Sequence, residues 1–426
     1  MRSRFGNATR ETFTSLSHRN FRLFFGGQLI SQVGNWMTLV ALTLLVLHLT
    51  DSGIAIGLLA ACQFAPVLVI GPWAGLVADR ADKRKLLMIV QTCAMAQSFG
   101  LAALASMGKP PVLAIYAVAL AGGVFTAFDN PARRSFVVEM VPDEKVQNAV
   151  SLNSALMTGS RIFGPALAGL LVTTVGFTWC FLGDAISYLA VLAGLWMMRP
   201  SELFPAKPAE RKKGMVRDGL RYVWRVPELR ISLIVMAIIG TFAFNFNTVF
   251  PLFVKRSLHG TDAAFTLVFS AMSVGSLLGA LWTARRKSIE LRHVIVSATA
   301  FGVVFIALAG VPTLALAYPV ATFMGLASIT FMTSSTTLLQ LRADPSMRGR
   351  VLALQAMVFL GSTPIGGPIL GATCDRFGAR AGLLVGAVAC LSAAAYGAVA
   401  NGRSKTRTFE IEGEELVTSG ADLQPA

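Results

Sequence analysis

The sequence predicts an all-α membrane protein with twelve transmembrane helices in two pseudo-symmetric six-helix bundles. Three observations carry this. First, about twelve apolar runs of roughly 18–28 residues alternate with short polar gaps, and about 20 helical residues cross a bilayer's hydrocarbon core. Second, only 14% of the 426 residues are charged and the mean hydropathy is +0.63. A soluble chain averages about 25% charged residues, so most of this surface must face lipid. Third, the net charge of +15 is distributed by side: of 37 Lys and Arg, 31 fall in or beside alternate gaps, five in the others, and Arg161 in mid-span. Positive residues stay on the cytoplasmic side during insertion, so both termini are expected there.

The spans are expected at 21–48, 54–79, 86–106, 112–134, 148–174, 178–198, 229–254, 263–284, 293–310, 314–341, 350–374 and 380–400. That divides the chain into a cytoplasmic N-terminal segment (1–20), a first bundle (21–198), a cytoplasmic linker (199–228), a second bundle (229–400) and a disordered cytoplasmic tail (401–426). The first span is too long and too polar for a cleavable signal peptide. It carries Gln28, Ser31, Gln32, Asn35 and Thr38 at helical i, i+3, i+4, i+7 spacing, a single polar stripe. Polar groups are costly in lipid unless they face a bundle interior or a wet cavity.

After the second span comes Gly75-Leu-Val-Ala-Asp79-Arg80-Ala-Asp82-Lys83-Arg84-Lys85. Gly75 permits close helix approach, and Asp79 can accept hydrogen bonds from a helix N-terminus or an arginine. The bases Arg80, Lys83, Arg84 and Lys85 are expected to reach phosphates or acidic partners. Together they suggest a conformational latch. The fourth span adds Thr126, Asp129, Asn130 and Arg133. The fifth carries Gly159-Ser160-x3-Gly164-Pro165-x3-Gly169, and the sixth carries Asp184.

The linker contains Pro200, Pro205, Pro208 and the run Arg211-Lys212-Lys213. Its stretch Met215–Arg225 is amphipathic, with Val216, Leu220, Val223 and Trp224 on one face, as expected of a helix lying at the interface. The seventh span places Thr241, Asn245 and Thr248 among Phe242, Phe244, Phe246, Phe250 and Phe253, aromatics that suit an apolar substrate. The tenth brings Thr330, Ser334, Thr337 and Gln340. Spans one, four, seven and ten begin the four three-helix units, so their polar faces are expected to line one central cavity.

The halves echo one another. Gly361-Ser362-x3-Gly366-Gly367-x3-Gly371 in the eleventh span repeats the fifth-span motif, and Gly371-x3-Asp375-Arg376 repeats Gly75-x3-Asp79-Arg80. The five cysteines are scattered without metal-like spacing and read as small core residues. The basic excess is expected to meet anionic lipid on the cytoplasmic side rather than nucleic acid. There is no GxxxxGK[ST] loop, so ATP is not expected to drive the protein directly. No catalytic constellation or metal cluster appears either, so neither an enzyme nor a cofactor is expected.

Gly75-x3-Asp79-Arg80-x2-Lys83-Arg84 resembles the loop 2–3 signature of the major facilitator superfamily. The equivalent place after span eight, Gly279-Ala-Leu-Trp-Thr283-Ala-Arg285-Arg286-Lys287, has lost the acid. Phe21-Arg-Leu-Phe-Phe-Gly-Gly-Gln28, Ser31-Gln32-x-Gly34-Asn35-Trp36, Asn130-Pro131-Ala132-Arg133, Val141-Pro142 and Ser160-Arg161-Ile-Phe-Gly164-Pro165-Ala-Leu-Ala-Gly169 are similar to the drug/proton antiporter branch, with its enterobactin-exporter-like and macrolide-efflux-like proteins. Ala168 departs from the paired glycines of that branch, and span four lacks the arginine many family antiporters place near its start. The resemblance implies proton-coupled efflux of a small amphipathic molecule (a drug, siderophore or metabolite) across a bacterial-type inner membrane, by a monomer working through alternating access. It also implies that the loop clamps the cytoplasmic side. A metabolite importer, an uncoupled facilitator and a non-transporting scaffold are the competing readings. Coupling needs a group that can gain and lose a proton in the membrane, and Asp129 and Asp184 are the candidates, with Arg161 as the expected partner in the coupling. Asp129 and Arg161 lie at similar depth and are expected to pair.

The side assignment is directly testable. Single cysteines engineered beside Lys83 and beside Lys109 should react with an impermeant thiol reagent from opposite faces of the membrane; labelling from the same face would refute the twelve-span reading.

Overall fold

A computed structural model describes the backbone of residues 13–204, 215–286, 288–345 and 347–421. Linker residues 205–214, including the Arg211-Lys212-Lys213 run, lie outside the described residues. The chain forms α1 (Arg19–Thr50), α2 (Gly53–Arg80), α3 (Lys83–Ser106), α4 (Val112–Glu139), α5 (Val146–Thr174) and α6 (Phe177–Trp196). A short interfacial helix, Met215–Arg225, follows. The second half holds α7 (Pro227–Ser257), α8 (Asp262–Ala284), α9 (Leu291–Gly310), α10 (Leu314–Arg342), α11 (Arg348–Phe377) and α12 (Ala379–Ala421). All twelve are long and apolar enough to span a membrane. The tail expected to lack structure carries helical backbone as far as Ala421, continuing α12.

Local chemistry sets the boundaries. Ser52 Oγ accepts from the Ala55 N–H (3.3 Å), Asp82 Oδ1 from Lys85 N–H (3.1 Å) and Thr261 Oγ1 from Ala264 N–H (3.3 Å), each meeting a donor left open by the first helical turn. Asp51 turns the chain between α1 and α2 in the left-handed region, φ 45°. One expected helix is interrupted. Helical geometry in α7 stops at Phe242 and resumes at Phe246. Freed backbone groups must find partners inside a membrane. Asn245 Nδ2 donates to the Thr241 carbonyl (2.7 Å), and the Asn245 carbonyl accepts from Thr248 and Val249. The break lets Phe244 swing into the second bundle, where its ring meets those of Phe246, Phe301, Phe331 and Phe359 at 5.1–6.4 Å. Phe246, Phe250 and Phe253 are buried there too. The aromatics expected to greet a substrate are therefore the packed core of the second bundle.

The packing is two-fold repetitive. In the first bundle α1 packs on α5 and α6, α3 on α4 and α6, and α2 on α4. In the second, α7 packs on α11 and α12, α9 on α10 and α12, and α8 on α10. The main contacts between bundles are likewise a related pair, α2 with α11 and α5 with α8. The repeated glycine motif explains both levels. A Cβ at Gly164 would strike Trp36 of α1, and one at Gly366 would strike the Thr241 carbonyl of α7. One turn on, Gly169 meets Thr266 of α8, and Gly371 meets the Gly53 carbonyl of α2. Gly159, the first glycine of that motif, has nothing within 4 Å of its Cβ position.

The interfacial helix docks differently from its sequence face. Val223 is fully buried against the second bundle, Gly219 lies over Arg350, and the Tyr222 hydroxyl accepts from the Asp344 N–H (3.1 Å). Leu220 and Trp224 point outward and are half exposed. The hydrophobic face is split between protein and surroundings.

Gly371→Val places a branched side chain against backbone that has no room to yield. It should cost about 1–3 kcal/mol of stability, read as a lowered melting temperature of the purified protein. An unchanged melting temperature would show that α2 and α11 do not depend on this contact.

Candidate functional site

The ends of the molecule differ chemically. The end carrying the α2–α3, α4–α5 and α10–α11 turns is here the basic end, and the opposite one is the far end. At the far end the two bundles are tied together by polar groups. The Asp375 carboxylate, closing α11, sits on the N-terminus of α2. It accepts from the Gly53 N–H (2.7 Å), the Ile54 N–H (3.0 Å) and Ser52 Oγ (2.9 Å). A carboxylate there meets both the open N–H groups and the positive end of the helix dipole. Arg256, at the end of α7, reaches Asp375 Oδ1 at 2.9 Å and the Asp51 carbonyl, joining both bundles. A second tie is His48 Nε2 to Asp262 Oδ2 at 2.9 Å, and between these ends Ser270 of α8 donates to the Ile162 carbonyl of α5 at 3.1 Å.

At the basic end the expected latch residues are placed as follows. Gly75 is buried, Asp79 half-buried and Arg80 exposed. Lys83 and Arg84 turn back into their own bundle rather than outward. Lys83 Nζ pairs with Glu139 Oε1 at 2.7 Å, both nearly buried. Arg84 donates to the Leu195 and Trp196 carbonyls (2.6 and 3.0 Å), at the C-terminus of α6, where a cation completes the helix end. They anchor the α2–α3 turn.

In mid-membrane a cavity of about 290 Å³ opens inside the first bundle, lined from all six helices. From the polar faces of spans one and four, Gln32, Asn35, Thr38, Thr126, Asp129, Asn130 and Arg133 line it, joined by Gln63, Gln91, Gln97 and Tyr188, while Gln28 does not reach it. Asp129 does not pair with Arg161. One helical turn along α4, Arg133 takes it, NH2 to Oδ2 at 3.1 Å, while Gln91 Nε2 donates to Oδ1 at 2.7 Å. Arg133 also donates to Asn130 Oδ1 (3.1 Å) and Gln28 Oε1 (3.3 Å), and Gln32 Nε2 bonds Gln28 Oε1 (3.1 Å). The Tyr188 hydroxyl donates to Asn35 Oδ1 at 2.8 Å. Asp184 lies behind this wall, 1% exposed, and accepts from Thr38 (2.9 Å) and Ser98 (2.8 Å). Arg161 instead stacks its guanidinium over the Trp36 ring, 5.0 Å from the centroid.

The second-bundle candidates do not share this cavity. Asn245, Thr248, Thr330 and Ser334 are buried within their own bundle, and their side-chain oxygens have no hydrogen-bond partner among the described residues. Thr241 returns its hydroxyl to the Ala237 carbonyl at 2.7 Å. The chemistry is therefore concentrated in one half. Sequence reasoning assigned no role to Gln91, Gln97 or Tyr188, isolated polar groups in spans three and six. It noted Arg133 without a partner, although four-residue spacing from Asp129 is the ordinary signature of a helical ion pair.

Comparison with known proteins fits this arrangement. The family model described as "Transmembrane secretion effector" matches residues 10–414. The staphyloferrin A transporter of Staphylococcus aureus is 26% identical over 365 residues, 84% of this chain and 90% of the relative. Macrolide efflux protein A of Streptococcus pyogenes is 23% identical over 378 residues, 84% of this chain and 90% of the relative. A bacterial homolog of the human lysosomal transporter Spinster, crystallised inward-facing and unoccupied, superposes with a TM-score of 0.70 at 14% identity, over 90% of this chain and 97% of that one.

The far-end closure makes a specific prediction. Asp375→Asn keeps the shape but loses the charge that meets Arg256 and the α2 dipole. A cysteine placed at Leu258, two residues beyond Arg256 and only partly exposed, should become more reactive to an impermeant thiol reagent in that variant than in the parent, and equal reactivity would count against the closure.

Proposed function

Because this chain belongs to the transmembrane secretion effector family of major facilitator transporters, we propose that it exports a small amphipathic molecule from the cytoplasm in exchange for protons, by alternating access. It is a multi-pass membrane transporter of efflux type. The finer reading rests on one observation. Asp129 is a carboxylate on the wall of a mid-membrane cavity, held by two side chains, Arg133 and Gln91. A proton arriving at Asp129 removes the charge that holds Arg133. The guanidinium is then free to re-bond to Gln28 and Asn130, which it already touches, and the wall of the cavity changes shape and polarity. Asp184 is the reserve candidate, but Thr38 and Ser98 enclose it and it does not line the cavity.

Alternating access fits the layout of two related bundles around a membrane-centred site. The far-end ties hold one mouth shut, and the α2–α3 loop with Gly75 and Asp79 is the matching clamp for the other. The basic end is assigned to the cytoplasm, where its cations face anionic head groups, and the location is a bacterial-type inner membrane. The protein works as a monomer on this reading.

Inverted membrane vesicles acidified inside, screened with a panel of antibiotics, siderophores and metabolites, should accumulate at least one compound. Asp129→Asn should still fold, with a lowered melting temperature because Arg133 loses its counter-ion, and should lose gradient-driven accumulation of that compound while retaining downhill exchange. Full gradient-driven accumulation in that variant would remove Asp129 from the mechanism. Failure of the parent protein to accumulate any panel member would remove export itself.

A further inference from the structure

We infer that Arg161 is an anion-binding residue at the rim of the cavity, and that the transported molecule carries a carboxylate or comparable anionic group beside an apolar or aromatic body. This deepens the export reading and rests on it. A guanidinium in mid-membrane is costly unless it is paired or faces a wet passage. Among the described residues Arg161 makes no hydrogen bond and no ion pair; its partner is the face of Trp36. The nearby acids are spent elsewhere, Asp129 on Arg133 and Gln91, Asp184 on Thr38 and Ser98. Arg133, the cation on the cavity wall, is thus neutralised, and Arg161 is not.

Its direction is set by the faces of α5. Gly164 packs on α1, while Gly169 and the Ile162 carbonyl meet α8. Phe163 and Leu170 face outward, 65% and 59% exposed. At helical spacing Arg161 falls between the α1 and α8 contacts, on the side opposite Phe163 and Leu170, and it keeps partial exposure. It therefore points toward the seam between the bundles. Arg161 is not itself one of the cavity's lining residues, but two of its neighbours are. Trp36 lines that cavity, and so does Met157, one turn along α5, whose sulfur is 3.9 Å from Arg133 NH1.

The stacked geometry leaves the guanidinium's in-plane N–H fork available. An arginine can lie on an aromatic face and still offer two parallel donors to a carboxylate. The six helices supply amide side chains for a polar body and Trp36, Phe64, Phe125 and Tyr188 for an aromatic one. The site therefore recognises an amphipathic anion rather than an amphipathic cation.

The test uses three probes of one shape: 2-naphthoate, its uncharged methyl ester and 2-naphthylmethylammonium. Binding is measured on the purified full chain in nanodiscs, with protein-free nanodiscs as blank. The parent should bind 2-naphthoate more tightly than either of the other two. Arg161→Gln should weaken 2-naphthoate binding by roughly tenfold to a hundredfold, the worth of a charge-assisted hydrogen-bond pair, and should leave the ester unaffected; Arg161→Lys should restore part of the loss. The inference is overturned if the parent shows no preference for the anion, or if Arg161→Gln, melting normally, binds 2-naphthoate as the parent does. The parent's own preference decides the matter should Arg161→Gln fail to fold. The vesicle screen separates the two claims: exported compounds that are all neutral or cationic leave export standing and sink this inference, whereas an empty screen with Arg161-dependent binding does the reverse.

Discussion

Two close crossings, α2 on α11 backbone to backbone and α5 on α8 glycine to threonine, are what the rest of this molecule depends on. Lipid tails give helices no hydrophobic reason to associate, so small residues and buried polar ties must do it. Gly371 against Gly53 and Gly169 against Thr266 bring helices of opposite bundles into direct contact. That closeness is what allows Asp375 to reach the α2 N–H groups and Ser270 to reach the Ile162 carbonyl. Side chains of ordinary size at those crossings would hold the carboxylate out of hydrogen-bond range. The steric and electrostatic parts of the closure are therefore one device.

Inside the first bundle the governing quantity is charge compensation. Asp129 and Arg133 are tolerated because each has a partner of opposite sign and further amide groups around it. Asp184 is tolerated differently, by hydroxyls in a tight shell. Among the described residues the second bundle has no comparable charges in its interior; its centre is filled by aromatic rings gathered round Phe244. A pseudo-symmetric backbone thus carries an asymmetric chemistry.

The spans and the two-bundle plan were legible in the sequence because hydropathy and cation placement are averaged over many residues, and the element boundaries followed within a few positions except at the end of α12, which runs on to Ala421. The cavity wall was legible in part. Gln32, Asn35, Thr126 and Asn130 stand on faces whose spacing can be read directly. What could not be read was azimuth between helices. Depth along the membrane put Asp129 level with Arg161, but facing direction gave it to Arg133. The polar groups of α7 and α10 have the same periodic signature as those of α1 and α4, yet they point into a closed core. The α7 break at 243–245 holds neither glycine nor proline itself, although Gly240 stands just before it, and Asn245 replaces a lost backbone bond with its side chain. The glycine repeat at offset 202, in contrast, was legible as a repeat and acquired its meaning only when its contacts on α1, α7, α2 and α8 became visible.

The solid packing around Phe244 has a further consequence. A half filled with interlocked rings cannot deform gradually, because interiors at crystal-like density resist compression. The core around Phe244 should therefore hold its shape as one stiff unit, while the first bundle, around its cavity, retains freedom to remodel its walls. Substitutions at the cavity wall can then be absorbed within the first bundle, leaving the interlocked rings of the second undisturbed.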